Sequence, residues 1–481
     1  MKRRDFFCGT AGALGALRAW GADLGEHLSG STPEGAKVWH SAQELLNMPN
    51  FCAHEHWGSI AAVGGGEDGF RADTEAGACP VRPVSVWDLV LDPYGGGWMH
   101  SGGTNPDQLA RDGGGGDSFA AWWAVAPEAA FSAIRPHLEH RRLTGVFKCT
   151  ARGVRFLHGV DLAQLGFDDW LEADKRIGAA YGDLHAWHRS AMKSAAFSGL
   201  IRPVHPLYYW RAENAAAAAA ERAYCGTILR IDPLVRMWRE KCPARDELAQ
   251  ATGVDPVDVR SWREFIGRIC DRAAANGGTG IKQLQAYSRD LDFSVVDGKN
   301  VRFRGELDET QQRAFGDWVV HECCRQAHDR GWPHQVHVGT NNLTESGPLP
   351  LEALARRYPK MNVVMLHCWP FLSESGYLAK MCPNMFADTC WQPILNPEFL
   401  HRSFMEWLGY VPLHKIMCSQ DATSVEMAVG SSQYQKEMLL YEIEGECGGM
   451  SLDQGARRGA ALALLHNNAV RVYGVGEAVN A

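Results

Sequence analysis

Short apolar runs that stop abruptly at a polar residue recur along the chain, separated by segments with the three-to-four-residue apolar spacing of helices. Eight such runs stand out, bounded by Gly, Pro and Asn: Phe51–His54, Leu200–His205, Thr227–Asp232, Gly280–Tyr287, His334–Val338, Asn362–His367, Met385–Asp388 and Lys415–Asp421. Between the fifth and sixth, Leu349–Tyr358 carries apolar residues at Leu351, Leu354 and Ala355, one helix face. Later runs follow one another at about 20–35 residues, the length of a βα unit. The rhythm predicts an α/β fold: a distorted (β/α)8 TIM-type barrel closed by right-handed crossovers.

One stretch breaks the rhythm. Residues 60–118 hold Gly64–Gly66, Gly95–Gly97 and Gly113–Gly116 around Trp87, Tyr94 and Trp98. So much glycine excludes regular structure throughout and predicts a long loop over the barrel mouth, with these aromatics and Trp369 either walling a pocket or packing a core. From about Phe119 to Ser198 the pattern turns helical. Residues 60–198 are therefore expected to form a loop and helical insertion after the first strand, inside a barrel domain spanning 31–478.

Composition narrows the classes. The 481 residues are 46% hydrophobic and 22% charged, an ordinary globular balance. The net charge of −8 and the lack of a basic run argue against a nucleic-acid partner. No run of about 18 apolar residues exists, so stable membrane insertion is not expected. A small-molecule substrate is the expected partner, and a homo-oligomer is left open. The 14 cysteines form no C-x-x-C and read as buried free thiols, with one or two disulfides compatible with an oxidising compartment. At the amino terminus, Lys2-Arg3-Arg4-Asp5-Phe6-Phe7 precedes a mildly apolar stretch to Leu17. That resembles a twin-arginine signal over residues 1–30, implying transient contact with the export machinery and a periplasmic or exported protein. Arg18 and the poor cleavage sequence Ala19-Trp20-Gly21-Ala22 depart from the pattern.

The polar residues that end the runs carry the chemistry. His54 and His56, two apart on a strand, face one side, and two neutral imidazoles there can chelate one cation. His337 ends the fifth run before Gly339, and His367 ends the sixth before Cys368-Trp369-Pro370. Asp421 ends the eighth. Each alone has a bland explanation: a structural histidine, or a helix N-cap for Asp421. The ordered set on strands one, five, six and eight predicts a divalent-metal site. Lys282, in the fourth run, must be paired. It either forms a carbamate that bridges two metals or remains a cation beside a carboxylate such as Asp232. Arg230 and Arg289 are candidate carboxylate clamps, or structural partners of Asp232 and Asp290.

Several stretches together resemble the amidohydrolase superfamily, in its amidohydrolase-related branch. They are Ala53-His-Glu-His-Trp57, Leu229-Arg-Ile-Asp-Pro-Leu234, Ile281-Lys-Gln-Leu-Gln-Ala-Tyr287, Gln335-Val-His-Val-Gly339, Leu366-His-Cys-Trp-Pro-Phe371, Ser419-Gln-Asp-Ala422 and Asn468-Ala-Val-Arg-Val-Tyr473. The resemblance spans most of the chain and matches the helical insertion only loosely. It implies a distorted barrel and one or two divalent ions, zinc first, with manganese or iron as alternatives. It makes His54, His56, His337 and Asp421 ligands and His367 a further ligand or a catalytic residue. It places Lys282 where some relatives carry a carboxylated lysine. The expected activity is hydrolysis of an amide, ester or lactone of a small substrate, a carboxylated one if the arginines serve as clamps. The metal would bring the pKa of its water to about 7, and Asp421 would move the proton. A non-oxidative decarboxylase or uronate-isomerase-like reaction on the same barrel is the alternative.

Overall fold

The computed structural model describes residues 44–57, 85–91, 105–211, 216–340, 342–444 and 453–476. The chain divides into two compact units, Met1–Leu45 and Leu46–Ala481, and every element below belongs to the second. The amino-terminal arginine motif, Tyr94 and Trp98 lie outside the described residues.

Eight parallel strands follow one another in sequence order: β1 (Asn50–Cys52), β2 (Phe197–Val204), β3 (Cys225–Arg230), β4 (Gly278–Gln283), β5 (His334–His337), β6 (Val363–Leu366), β7 (Met385–Asp388) and β8 (Ile416–Met417). Helices fill the crossovers, among them Val259–Ala275 before β4 and Glu309–Arg330 before β5. The latter starts at an Asp308–Gln311 capping box and stops at Gly331 with φ 67°. Strands such as Val-Val-Met-Leu in β6 are buried at every position, as befits a sheet covered on both faces. Phe51, Ile201, Ile228, Val364, Leu366, Phe386 and Met417 share one core, and the expected distorted (β/α)8 barrel is the fold. Register sets Arg230 level with Lys282, Lys282 with Gln335, and Leu366 with Asp388.

The barrel's seam differs from its other joints. Among the described residues no strand ladder joins β8 to β1, which are two and three residues long. The segments just after them pair instead. Asp421 N–H donates to the His54 carbonyl at 3.0 Å, and His56 and Trp57 N–H donate to Ala422 O at 3.0 and 3.1 Å. The Glu55 carboxylate takes Ala422 N–H at 2.7 Å, and Ser419 Oγ takes Ala53 N–H at 2.9 Å. This corrects one expectation: the two histidines are not on a strand, because β1 ends at Cys52 and His54-Glu55-His56 belongs to the seam. Asp421 likewise lies four residues past the end of β8.

Between β1 and β2 the described residues form seven α-helices, Val86–Val90 through Leu184–Ser194, so the insertion is helical as expected. Trp87, Phe119, Trp123, Phe131 and Trp170 pack edge to face or tilted in its core. Trp87 is thus a core residue and no pocket wall, and Trp369 stacks on Phe399 with centroids 4.3 Å apart. Helix α1 (Gly145–His158) of the insertion crosses α2 (Val425–Glu444), the helix after β8, at two glycines. A Cβ on Gly153 would lie 1.7 Å from Glu426 O, and one on Gly430 would lie 1.9 Å from Cys149 O. The buried Glu426 carboxylate accepts from His158 Nε2 (2.9 Å), Tyr181 OH (2.6 Å) and Trp187 Nε1 (3.2 Å). Ten of the 11 described cysteines are buried, and all 11 are free thiols. No described helix is long and apolar enough to cross a membrane.

Candidate metal centre

The seam hydrogen bonds that replace a ladder bring the residues after β1 onto those after β8. Asp421 Oδ1 lies 3.4 Å from His54 Nε2 and 3.3 Å from His56 Nε2. Its other oxygen, Oδ2, lies 3.4 Å from His367 Nδ1. His54, His56 and Asp421 form one three-donor group that could hold an ion, and His367, Cys390 and Asp421 form another. A tetrahedral ion with bonds of about 2.0–2.1 Å separates its nitrogen and oxygen donors by about 3.3–3.4 Å. The donor set thus fits a divalent cation in type and spacing.

Backbone conformation helps to aim these groups. His367 and Asp421 have φ of 66° and 58°, left-handed values that cost a non-glycine residue about 1–3 kcal/mol. Fixed hydrogen bonds offset the strain. Gln392 Nε2 donates to the His367 carbonyl at 2.6 Å, and Asp421 N–H is held by the His54 carbonyl. Asp388, at the end of β7, accepts from Cys390 N–H at 3.0 Å and Ser419 N–H at 2.9 Å, tying β7 to the approach to Asp421.

Burial keeps the imidazoles neutral. His54, His56 and His337 are held well below the ordinary histidine range, first by burial and then by neighbouring positive groups, Lys282 and His367 among them. His367 is pushed down to about 3, again mainly by burial. Neutral imidazole is the form that binds metal. Lys282 Nζ sits 3.0 Å from His54 Nε2; burial lowers it to about 8, against the opposing pull of Asp421.

His337 takes a different place from the one expected. Its Nδ1 meets His367 Nε2 at 2.9 Å, and its Nε2 meets Thr340 Oγ1 at 2.7 Å. Both its nitrogens are therefore engaged, and it supports His367 rather than facing Asp421. Arg230 is beside the site: its charge acts on His56, Lys282 and His205, and its Nε is 3.9 Å from Asp232. Arg289 is a correction to the clamp expectation. Its guanidinium is held by Asp317 at 2.6 Å and by the Asp290 and Asp292 carbonyls at 3.1 and 2.7 Å, a structural role that follows from the acids packed around it.

Three site residues escaped sequence reasoning. Glu55 holds the seam, Cys390 places Sγ 3.3 Å from His367 Nδ1, and Gln335 accepts from His54 Nδ1 at 3.0 Å. Gln335 left a signal: it is two residues before His337 on β5, hence on the same face.

Residues 258–475 match the amidohydrolase family model. The matched stretch contains Lys282, His337, His367 and Asp421, whereas His54 and His56 precede it. Protein fluG of Emericella nidulans is 23% identical over 241 residues, which is 45% of this chain. The chain spans only 28% of the length of that relative. Among solved structures, the glucuronate isomerase of Caulobacter crescentus superposes with a TM-score of 0.68, covering 95% of this chain and 99% of its own at 15% identity. The uronate isomerase of Thermotoga maritima gives 0.65 over 91% of this chain and 97% of its own, at 11% identity. A protein of Lactobacillus casei described as a metal-dependent hydrolase gives 0.58 over 90% and 97%, at 18% identity. The eight-stranded barrel is therefore shared with these structures as a fold.

Proposed function

We propose that this protein is a metal-dependent hydrolase, cleaving an amide, ester or lactone of a small carboxylated substrate. The observation that carries the proposal is the placement of His54, His56 and Asp421 with donor spacings of 3.3–3.4 Å inside a buried cup. His54 and His56 with Asp421 would hold the ion, zinc first. When bound, a divalent ion supplies Lewis-acid charge and makes nearby water acidic enough to react at neutral pH. Asp421 takes the proton of the attacking water and returns it to the leaving group. His367, 3.4 Å from Asp421 Oδ2 and backed by His337, orients that carboxylate and faces the developing negative charge. Arg230 offers a guanidinium to a substrate carboxylate at the edge of the same cup. Lys282 either adds carbon dioxide with loss of a proton, and the carbamate would then offer an anionic ligand to a divalent ion, or stays a cation against Asp421; a mass gain of one carbon dioxide on intact protein separates the two.

The second reading is an isomerase acting on a sugar acid. Its specific support is that two uronate or glucuronate isomerases superpose over more than nine-tenths of this chain. In that case Asp421 and His367 would move a proton between neighbouring carbons and no water would be added. Turnover in oxygen-18 water tests both readings. Hydrolysis puts one heavy oxygen into the products, whose masses together equal the substrate plus one water, whereas isomerisation yields a single product of the substrate's composition.

His54→Ala combined with His56→Ala is expected to lose bound metal and all turnover, read by elemental analysis of purified protein. Unchanged metal content would remove the site. We further propose that residues 1–30 act as a twin-arginine export signal, delivering the folded protein to the periplasm. Replacing Arg3 and Arg4 with lysines should leave the protein in the cytoplasmic fraction.

A further inference from the structure

The closing helix α3 (Asn468–Tyr473) has no part in the chemistry proposed above, yet it reaches the centre of the barrel. Asn468 Nδ2 anchors it by donating to the Leu413 and Ile416 carbonyls, each at 2.8 Å, around the start of β8. Its last residue, Tyr473, is buried, and the hydroxyl lies 2.8 Å from Gln335 Nε2.

Gln335 is fully buried on β5. The same amide nitrogen lies 2.6 Å from the Ala53 carbonyl oxygen. A carbonyl oxygen only accepts, so the amide atom facing it must be the NH2 group. The amide oxygen is thereby turned toward His54 Nδ1, 3.0 Å away. That oxygen only accepts as well, so Nδ1 must carry the ring hydrogen. Nε2 is left with its lone pair, and it faces Lys282 Nζ at 3.0 Å and Asp421 Oδ1 at 3.4 Å. His56 lacks such a lock among the described residues, where its buried Nδ1 has no hydrogen-bond partner.

We infer that Gln335, oriented by the Ala53 carbonyl and the Tyr473 hydroxyl, is a positioning residue that fixes His54 as the Nδ1–H tautomer and so preforms Nε2 as a ligand for a divalent cation. The inference rests on the metal-enzyme reading for its ligand half. Its tautomer half stands on this geometry alone. His54 is then the rigid ligand, His56 the adaptable one, and the closing helix is coupled to the metal through two side chains. Hydrogen-bond partners behind a ligating histidine typically set its orientation and are worth about 10–100-fold in metal affinity.

The test uses full-length protein, stripped of metal, with nitrogen-15-labelled histidine. Nuclear magnetic resonance of wild type should show His54 protonated at Nδ1, and zinc competition against a chromogenic chelator should give the reference affinity. Gln335→Met keeps the volume and removes the acceptor; His54 should shift to a mixture of tautomers and zinc affinity should fall about 10–100-fold. Tyr473→Phe leaves the Ala53 contact and should weaken zinc binding by a smaller factor. Gln335→Glu keeps an acceptor toward Nδ1 and should retain the tautomer, which a merely space-filling role for Gln335 would not require. Should Gln335→Met fail to fold, Gln335→Glu and Tyr473→Phe still decide: His54 protonated at Nε2 in the glutamate variant overturns the inference. Gln335→Met with wild-type tautomer and affinity overturns it too. Wild-type protein that takes up none of zinc, manganese or iron removes the proposed function, whereas wild-type His54 protonated at Nε2 removes this inference, and the two results are independent.

Discussion

Asp421 meets three imidazoles through two oxygens, and this division of one carboxylate is the centre of the site. Oδ1 serves the histidines after β1, and Oδ2 serves the histidine after β6. The amide of Asp421→Asn keeps the shape but loses the charge and the proton-accepting oxygen. It should lower turnover by about 10²–10⁴-fold, the usual worth of a general acid–base group. The far-ultraviolet circular dichroism and unfolding midpoint should stay near wild type, since the seam bond from Asp421 to the His54 carbonyl runs from its backbone N–H. Near-normal turnover would take Asp421 out of the chemistry. Arg230 and Arg289 show why residue type alone misleads. Arg230 ends β3 and Arg289 follows β4, but three oxygens surround the Arg289 guanidinium, while the charge of Arg230 is felt at His56 and Lys282.

Helices α1 and α2 tie the insertion to the loop that carries Asp421. Asp421 lies four residues before α2 begins, and Glu426, at its second position, is clamped by three donors from the insertion. The two backbones approach so closely that only glycine fits at 153 and 430. Gly153→Ala forces backbone against backbone, since the first atom met is a carbonyl oxygen rather than a flexible side chain. The expected cost is at least about 1–3 kcal/mol, seen as a lower midpoint in thermal or urea unfolding. Because α2 carries the end of the Asp421 loop, metal affinity should fall as well. An unchanged midpoint would show that the helices separate easily and that the insertion is not load-sharing.

Across the whole molecule, buried neutral histidines make stability depend on acid. Burial holds His334 down to about 3 and His188 down to about 4, both away from the Asp421 carboxylate. Unfolded, each takes up a proton near pH 6.5; folded, each resists until far lower pH. The unfolded state therefore binds more protons as pH falls below about 6.5, and stability drops in that direction. Each such histidine steepens the loss by up to about 1.4 kcal/mol per pH unit. The urea midpoint should fall steadily from about pH 6.5 toward pH 4.5, and His334→Gln should flatten the slope by about one proton. A midpoint that is level across this range would contradict the neutral buried state.

The order of apolar runs and the residues that end them were written in the chain. From that came the eight strands, the barrel and the helical insertion, and also His54, His56, His367, Asp421 and Lys282, which the fold brings within a few ångströms of one another. These are legible because a parallel barrel puts each strand's last residues at one mouth, so position in a run predicts position in space. Tertiary structure decided the rest. It moved the two histidines off the strand and into a seam held by Glu55, set His337 behind His367, and occupied Arg289 with Asp317. It also brought Tyr473 and Gln335 beneath His54. Those outcomes depend on hydrogen bonds between residues hundreds of positions apart, and a partner's direction and distance are not encoded in any local pattern.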